Sequence, residues 1–374
     1  MRTTKSFAQT TLPSWRRPGW RRNLLTLAAM LIVLLLVWFG FRHDAGFYSR
    51  QVAQVESVHT TAVTKLVDDH DNHDAQVRQH VRARLLNGKR KGQVVSFTNS
   101  YTRSQAIDFP LRKHQQVFLN KSQGSYQLSD AKRDSVSGVL LALVLLLLFA
   151  FTGLHAFQTL AAIALNTVIF MFGINGLLKS HGSWPWYIVG ILAVVFTIAT
   201  ALLIIGPRRV GFSIGLATLL STLLAVGLGY GIMTLFNYRG IHIEEVRYVT
   251  QNPRLIFFAQ IVIGALGAVL DETSDISVAV FQLPADAKVR FKAGMAIGRK
   301  IMGPLIAVLF MIFMADTFAE SILWLRNGNT IAYTVSWVMG LGFAQSLISA
   351  FGIVLAVPIT SGLAALLAGK KVAE

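Results

Sequence analysis

Cysteine is absent from the 374 residues, which excludes disulfides, thiolate metal sites and a cysteine nucleophile. Charge is scarce too. Asp, Glu, Lys and Arg make up 14% of the chain, and acids are the rarer sign, 18 against 35 basic residues. A soluble domain carries about a quarter charged residues, so a chain that is also 53% hydrophobic, with a mean hydropathy of +0.52, falls outside that class. No Walker loop, HExxH pair, GxSxG elbow or dinucleotide fingerprint occurs. The sequence gives no sign of an enzyme, and no cofactor is expected.

What is present is a series of long apolar runs. Eight predicted spans cover Leu24 to Phe41, Val136 to Leu154, Phe157 to Leu178, Trp184 to Ile205, Gly211 to Phe236, Leu255 to Gln282, Ile301 to Leu325 and Ala344 to Ala368. Runs of about 20 residues cross the roughly 30 Å hydrocarbon layer as helices. The first run follows Arg16, Arg17, Arg21 and Arg22 and is followed by no small-x-small cleavage site, so it reads as an uncleaved anchor rather than a signal peptide.

A net charge of +17 would suggest nucleic acid in a soluble protein. In a membrane protein the placement of that charge decides its meaning, and no nucleic-acid partner is expected here. With the N-terminus inside, 15 Lys and Arg fall on the cytoplasmic side, whereas the short outer loops hold five, Lys179, Arg239, Arg247, Arg254 and Arg326. The positive-inside rule favours this orientation. The expected organisation is a cytoplasmic basic tail (1–23), an anchor (24–41), an extracytoplasmic β-rich domain (42–133), a seven-helix membrane domain (136–368) and a cytoplasmic tail (369–374). The expected location is a bacterial cytoplasmic membrane with both termini inside, and membrane lipids are the first expected partners.

The outer segment alternates in QVAQVESVHTTAVTKLV and contains the short runs VRARLL, QVVSFTN and HQQVFLN, separated by the turn signals NGKRKG, DFP and KSQGS. That pattern predicts a small antiparallel barrel or sandwich, with the OB kind as one candidate. Between its first strands lies DDHDNHD, in which Asp68, His70 and His73 are weak candidate ligands for a divalent cation. A solvated turn is the plainer reading. Lys89 to Lys91 form a basic turn that could meet anionic headgroups or wall polymers.

The sixth span, GALGAVLDETSDISVAVFQL, holds three acids within five residues. At 100° per residue Asp271, Glu272 and Asp275 share an arc of about 100°, on a stripe with Gln260, Gly264 and Gly267. Acids facing lipid cost at least ~2.5 to 3.5 kcal/mol on insertion scales, so they should face protein or a water-filled cavity. Gly264 and Gly267 would admit another helix closely. Asp271 lies about 24 Å below the outer boundary, at a depth where an ion pair from Asp271 or Asp275 to Arg299 is plausible. The reading left open is whether such a pair pins helices or the acids bind a proton or cation, with Arg299 as partner or gate. Asp316 and Glu320 form a second i, i+4 pair near the outer boundary of the seventh span, either snorkelling to water or facing the same cavity. Asn166 suits packing or a cavity wall, and Ser213, Thr218, Ser221 and Thr222 are expected to bond back to their own helix.

The residues GALGAVLDETSDIS, AGMAIGRKIMG and GIVLAVPIT together resemble the YibE/F family of bacterial multispanning membrane proteins. The matching positions are Asp271, Ile276, Ser277, Gly294, Ile297, Gly298, Arg299, Ile301, Met302, Gly303, Pro358, Ile359 and Thr360, with AGMAIGRKIMG read as a loop. LLNGKRKGQVVSFTN resembles the family's glycine-flanked strand pair more weakly. Lys300 stands where an acid is expected and Pro304 where a small polar residue is expected, which makes the segment more basic. The resemblance implies the topology and a homologous membrane partner or homo-oligomer, and it leaves the biochemistry open.

Two functions follow as expectations. One is a transporter or transport accessory with an intramembrane acidic site. The other is a non-transporting envelope protein whose outer domain binds a wall component, a lipid or a partner.

Overall fold

The computed structural model describes residues 20–106, 108–122, 124–180, 184–246 and 252–369. Of the basic residues used for orientation, those ahead of Trp20, together with Arg247, Lys370 and Lys371, lie outside the described residues. Among the described residues, eight helices are long and apolar enough to cross a membrane. The chain divides into two compact units, residues 1–153 and 154–374.

In the first unit, α1 (Trp20–His43) leads into five strands, β1 (Gln51–Val67), β2 (His73–Leu85), β3 (Val94–Thr102), β4 (Gln116–Ser122) and β5 (Ser125–Ala131), and α2 (Asp134–Thr152) follows. The strands form one antiparallel sheet in the order β3-β2-β1-β4-β5. Its edge strands β3 and β5 also come into contact, which gives a partly open, five-stranded barrel of the OB kind. Strict alternation of buried and exposed residues along β2 turns Val81, Ala83 and Leu85 inward. They pack with Val55, Phe97, Leu111, Val117 and Leu119.

Two polar clusters tie this domain to its helices. Asn87 Nδ2 donates to the carbonyls of Ala45, Tyr48 and Arg50 at 2.9, 3.1 and 2.8 Å, and its Oδ1 accepts from the Val52 N–H at 2.8 Å. Buried Lys132 pairs with Asp44 and Asp134, each at 2.8 Å, while the Tyr48 hydroxyl donates to Asp134. Gly138 lets α2 lie against the Phe41 ring of α1, which a Cβ would strike at 2.1 Å.

The second unit contains α3 (His155–Lys179), α4 (Trp184–Ile204), α5 (Arg209–Leu235), α6 (Pro253–Gln282), α7 (Ala287–Arg326) and α8 (Ile331–Leu367). Helix α8 packs against α5, α6 and α7, and α6 also contacts α4, α5 and α7. Residues 335–339 of α8 form a π-helical turn, against which His242 stacks on Trp337 with ring centroids 3.6 Å apart.

Two expectations about these helices are corrected. The segment AGMAIGRKIMG is not a loop, because α7 starts at Ala287 and runs 40 residues, about 60 Å. Its charged first half ends the apolar window early at Ile301, yet the helix runs on through that half, Pro304 included. Helix α8 likewise begins at Ile331 rather than Ala344.

Candidate functional site

Helix α6, the span that carries three acids, is well covered, with twelve of its residues buried. The face that packs is apolar: Ala265, Val269, Ile276 and Val280 have no accessible surface. Glycines on the neighbours make this packing close. A Cβ on Gly352 of α8 would lie 2.8 Å from Val269, and one on Gly298 of α7 would lie 2.6 Å from Val357 and 3.0 Å from Ile276. Nothing lies within 4 Å of a Cβ built on Gly267, and one on Gly264 meets only Gln345, at 3.5 Å. Close helix approach therefore uses Gly352 and Gly298, and not the Gly264 and Gly267 expected from the sequence.

The three acids of α6 separate. Glu272 lies within the packed face with none of its surface accessible, and neither carboxylate oxygen has a hydrogen-bond partner among the described residues. Asp271 and Asp275 are exposed, on a stripe with the exposed Gln260, Gly264 and Gly267. This stripe, expected to face the interior, is the side of α6 that the chain leaves uncovered.

Hydroxyl side chains are also buried in this unit. Thr218 of α5 and Thr273 of α6 hydrogen-bond at 2.8 Å, which joins the two helices one residue away from Glu272. One turn along α5, Ser221 and Thr222 are buried without partners among the described residues, as are Ser213, Ser277 on α6 and Thr360 on α8. Back-bonding was expected for the α5 hydroxyls, and Thr218 instead bonds across helices while the others are unpaired. None of these hydroxyls lies within hydrogen-bond distance of the Glu272 carboxyl, so the carboxyl itself is the group on α6 that could take up a proton or a cation.

Two recesses open on the neighbouring face. One, of about 240 Å³, is lined by Asn166, Thr197, Thr200 and Gly267, and Asn166 Nδ2 donates to the Thr200 hydroxyl at 2.8 Å. The other, of about 480 Å³, reaches Thr222 and Phe258. They adjoin at Leu266, which borders both.

The remaining expected site residues do not join this cluster. The contact of Gly298 with Ile276 brings Arg299 to the depth of Asp275, yet no ion pair links Arg299 to Asp271 or Asp275 among the described residues. The cause is rotation: Gly294 and Gly298 take the contact face of α7, and one residue further, 100° around, Arg299 is exposed. Asp316 is exposed and Glu320 half-buried, more than three turns further along α7 than Arg299, so the two acidic pairs do not meet.

DDHDNHD is the turn of the β1–β2 hairpin. Asp68 caps it, accepting from the Asn72 side-chain amide and from the His70 and Asn72 N–H groups at 2.9 Å each; the Asn72 side-chain bond first, and the N–H bonds with it, hold its carboxyl below the usual range. No group of three or more potential metal ligands occurs among the described residues. Asp68, His70 and His73 thus build a turn.

Eight membrane-length helices, a carboxyl buried in their packing and a small β barrel define a polytopic helical membrane protein with an appended β domain. Residues 140–370 match the YibE/F-like protein family, and residues 46–132 match the YibE/F family N-terminal domain. The chain belongs to the YibE/F-like family. Neither a curated protein nor a solved structure matches it.

Proposed function

We propose that this protein is a transporter or transport accessory in which Glu272 is the ion- or proton-binding group. One observation carries the reading: a carboxyl with no accessible surface and no hydrogen-bond partner among the described residues. Ionised and alone in an apolar interior, such a group costs several kcal/mol. It therefore holds a proton or a cation. The recesses at Thr222 and Asn166 supply an approach. No catalytic role is proposed for any residue.

The orientation we adopt has both termini in the cytoplasm of a bacterial cell, on the asymmetry of Lys and Arg. Asp271 and Asp275 then face the lipid phase unless something covers them, and a second copy of the chain is the simplest cover. A two-fold axis along the membrane normal preserves depth, so the partner's Arg299 would stand level with Asp275.

Reconstitution into vesicles with a pH-sensitive or cation-sensitive dye inside tests the transport reading. Wild type carries a flux that Glu272→Gln abolishes. Equal flux in the two proteins would refute it. The envelope-binding alternative draws its support from the β domain, which has its own core; it predicts no flux from either protein and loss of cellular function on deletion of 42–133.

A further inference from the structure

A groove of about 1040 Å³ opens in the first unit where α1 ends and α2 begins. Its lining includes Arg42, Arg112, Lys113, His114 and Arg133, and Asp108 is the single acid among the described lining residues. That acid is already engaged, accepting from the Thr102 N–H at 2.9 Å and the Thr102 hydroxyl at 3.0 Å. Lys132 also borders the groove, but Asp44 and Asp134 neutralise it.

The other cations have no such partner. Arg112 and Lys113 are exposed and make no ion pair among the described residues. Arg133 reaches Asp130 only at 3.7 Å, between exposed side chains, and lies over the Phe109 ring. Arg42 is fixed at the wall by donating to the His114 carbonyl at 3.1 Å and by stacking over Trp38. Among the described residues these like charges have only the loose Asp130 contact to offset their mutual repulsion, so an anion bound here is stabilised by all of them.

Position narrows the choice of anion. Arg42 is the next-to-last residue of α1, and Arg133 directly precedes α2; both helices are apolar spans with no buried residues in their hydropathic windows. The groove therefore lies at the edge of the hydrocarbon layer, where headgroups are found. Phe109, Pro110 and Val136 form an apolar part of its lining, which a free ion would not use. Guanidinium groups bind phosphate through paired N–H donors.

We propose that this groove binds the phosphate of an anionic membrane lipid. Arg42, Arg112, Lys113 and Arg133 engage the headgroup, and the apolar wall receives the glycerol end. The bound lipid holds the barrel to the membrane surface at the α1–α2 stem. The site depends on neither the orientation of the chain nor the role of Glu272.

The test is native mass spectrometry of the full chain released from nanodiscs of equal phosphatidylglycerol and phosphatidylcholine. Wild type retains phosphatidylglycerol in preference. Each basic group near a membrane surface contributes about fivefold, so Arg112→Gln/Lys113→Gln/Arg133→Gln weakens retention by roughly a hundredfold. The charge-keeping variant Arg112→Lys/Lys113→Arg/Arg133→Lys retains the lipid, and the exposed single change Lys113→Gln gives a partial loss if the triple variant fails to fold. Equal retention of the two lipids by wild type, unchanged retention in the neutralised variants, or displacement of the lipid by inorganic phosphate would overturn the proposal.

Discussion

Asp271 and Glu272 are neighbours in sequence and stand on different sides of α6: the first is exposed, and the second has no accessible surface. The difference separates a stability effect from a functional one. Removing an unpartnered buried carboxyl relieves a desolvation cost, so Glu272→Gln and Glu272→Leu should leave thermal stability unchanged or raise it, while abolishing flux. Thermal unfolding in detergent beside the vesicle assay checks both. A large loss of stability would mean that the carboxyl is structural.

The uncovered stripe of α6 predicts association. Because the chain has no cysteine, Asp275→Cys/Arg299→Cys introduces the only two thiols. Oxidation in membranes should give a disulfide-linked dimer, and the same change at the exposed but distant Leu323 should not. A monomer throughout would leave the acids to be covered by something other than a second copy.

Close packing at Gly352 and Gly298 sets the geometry around Glu272. Gly352→Val and Gly298→Leu should each destabilise the second unit by about 1 to 3 kcal/mol through overpacking, measured as a fall in unfolding midpoint. Gly267→Ala, where no atom lies within 4 Å, should be close to neutral.

In the first unit, Lys132→Met leaves Asp44 and Asp134 without their buried counter-charge. Breaking a buried pair in this way costs about 3 to 5 kcal/mol. Circular dichroism melting of the variant reads the loss. A change under about 1 kcal/mol would show that water replaces the lysine.

Hydrogen bonds to Asn72 hold the Asp68 carboxyl below its ordinary range, and the Ser104 hydroxyl and neighbouring N–H groups do the same for Asp74. A carboxyl depressed in the folded state contributes stability above its unfolded pKa and loses it as pH falls through the folded value. The β1–β2 turn should accordingly stay ordered through the ordinary carboxylate range and loosen only at lower pH. Amide exchange at His70, Asn72 and Ser104 across an acid titration follows this.

Much of the architecture was legible because it follows from uninterrupted apolar runs and from period-2 alternation in β2. Alternation could predict strands but not their order, since the β1–β4 pairing joins residues far apart in sequence. The beginning of α7 is hidden from the sequence because an apolar run traced back along it stops at Arg299 and Lys300, whereas a helix continues wherever the backbone hydrogen bonds do. On α6 the wheel placed three acids in one arc but could not say which edge of it faced protein. By sequence alone the small and polar residues mark the inward side. In fact α5 and α8 cover the apolar face through Val269 and Ile276, and only Glu272, at the edge of the acidic arc, goes in with them. The unpaired state of Ser221 and Thr222 had no sequence signal, because a hydroxyl on an apolar helix can bond back or across with the same composition.

Infrared titration of the purified protein in lipid addresses the central claim, that Glu272 is an exchangeable site inside the bundle. A carboxyl band that responds to external pH or cation, present in wild type and Asp271→Asn and missing from Glu272→Gln, is the expected result. A band that is indifferent to the outside solution, or one that vanishes with Asp271 instead, would contradict it.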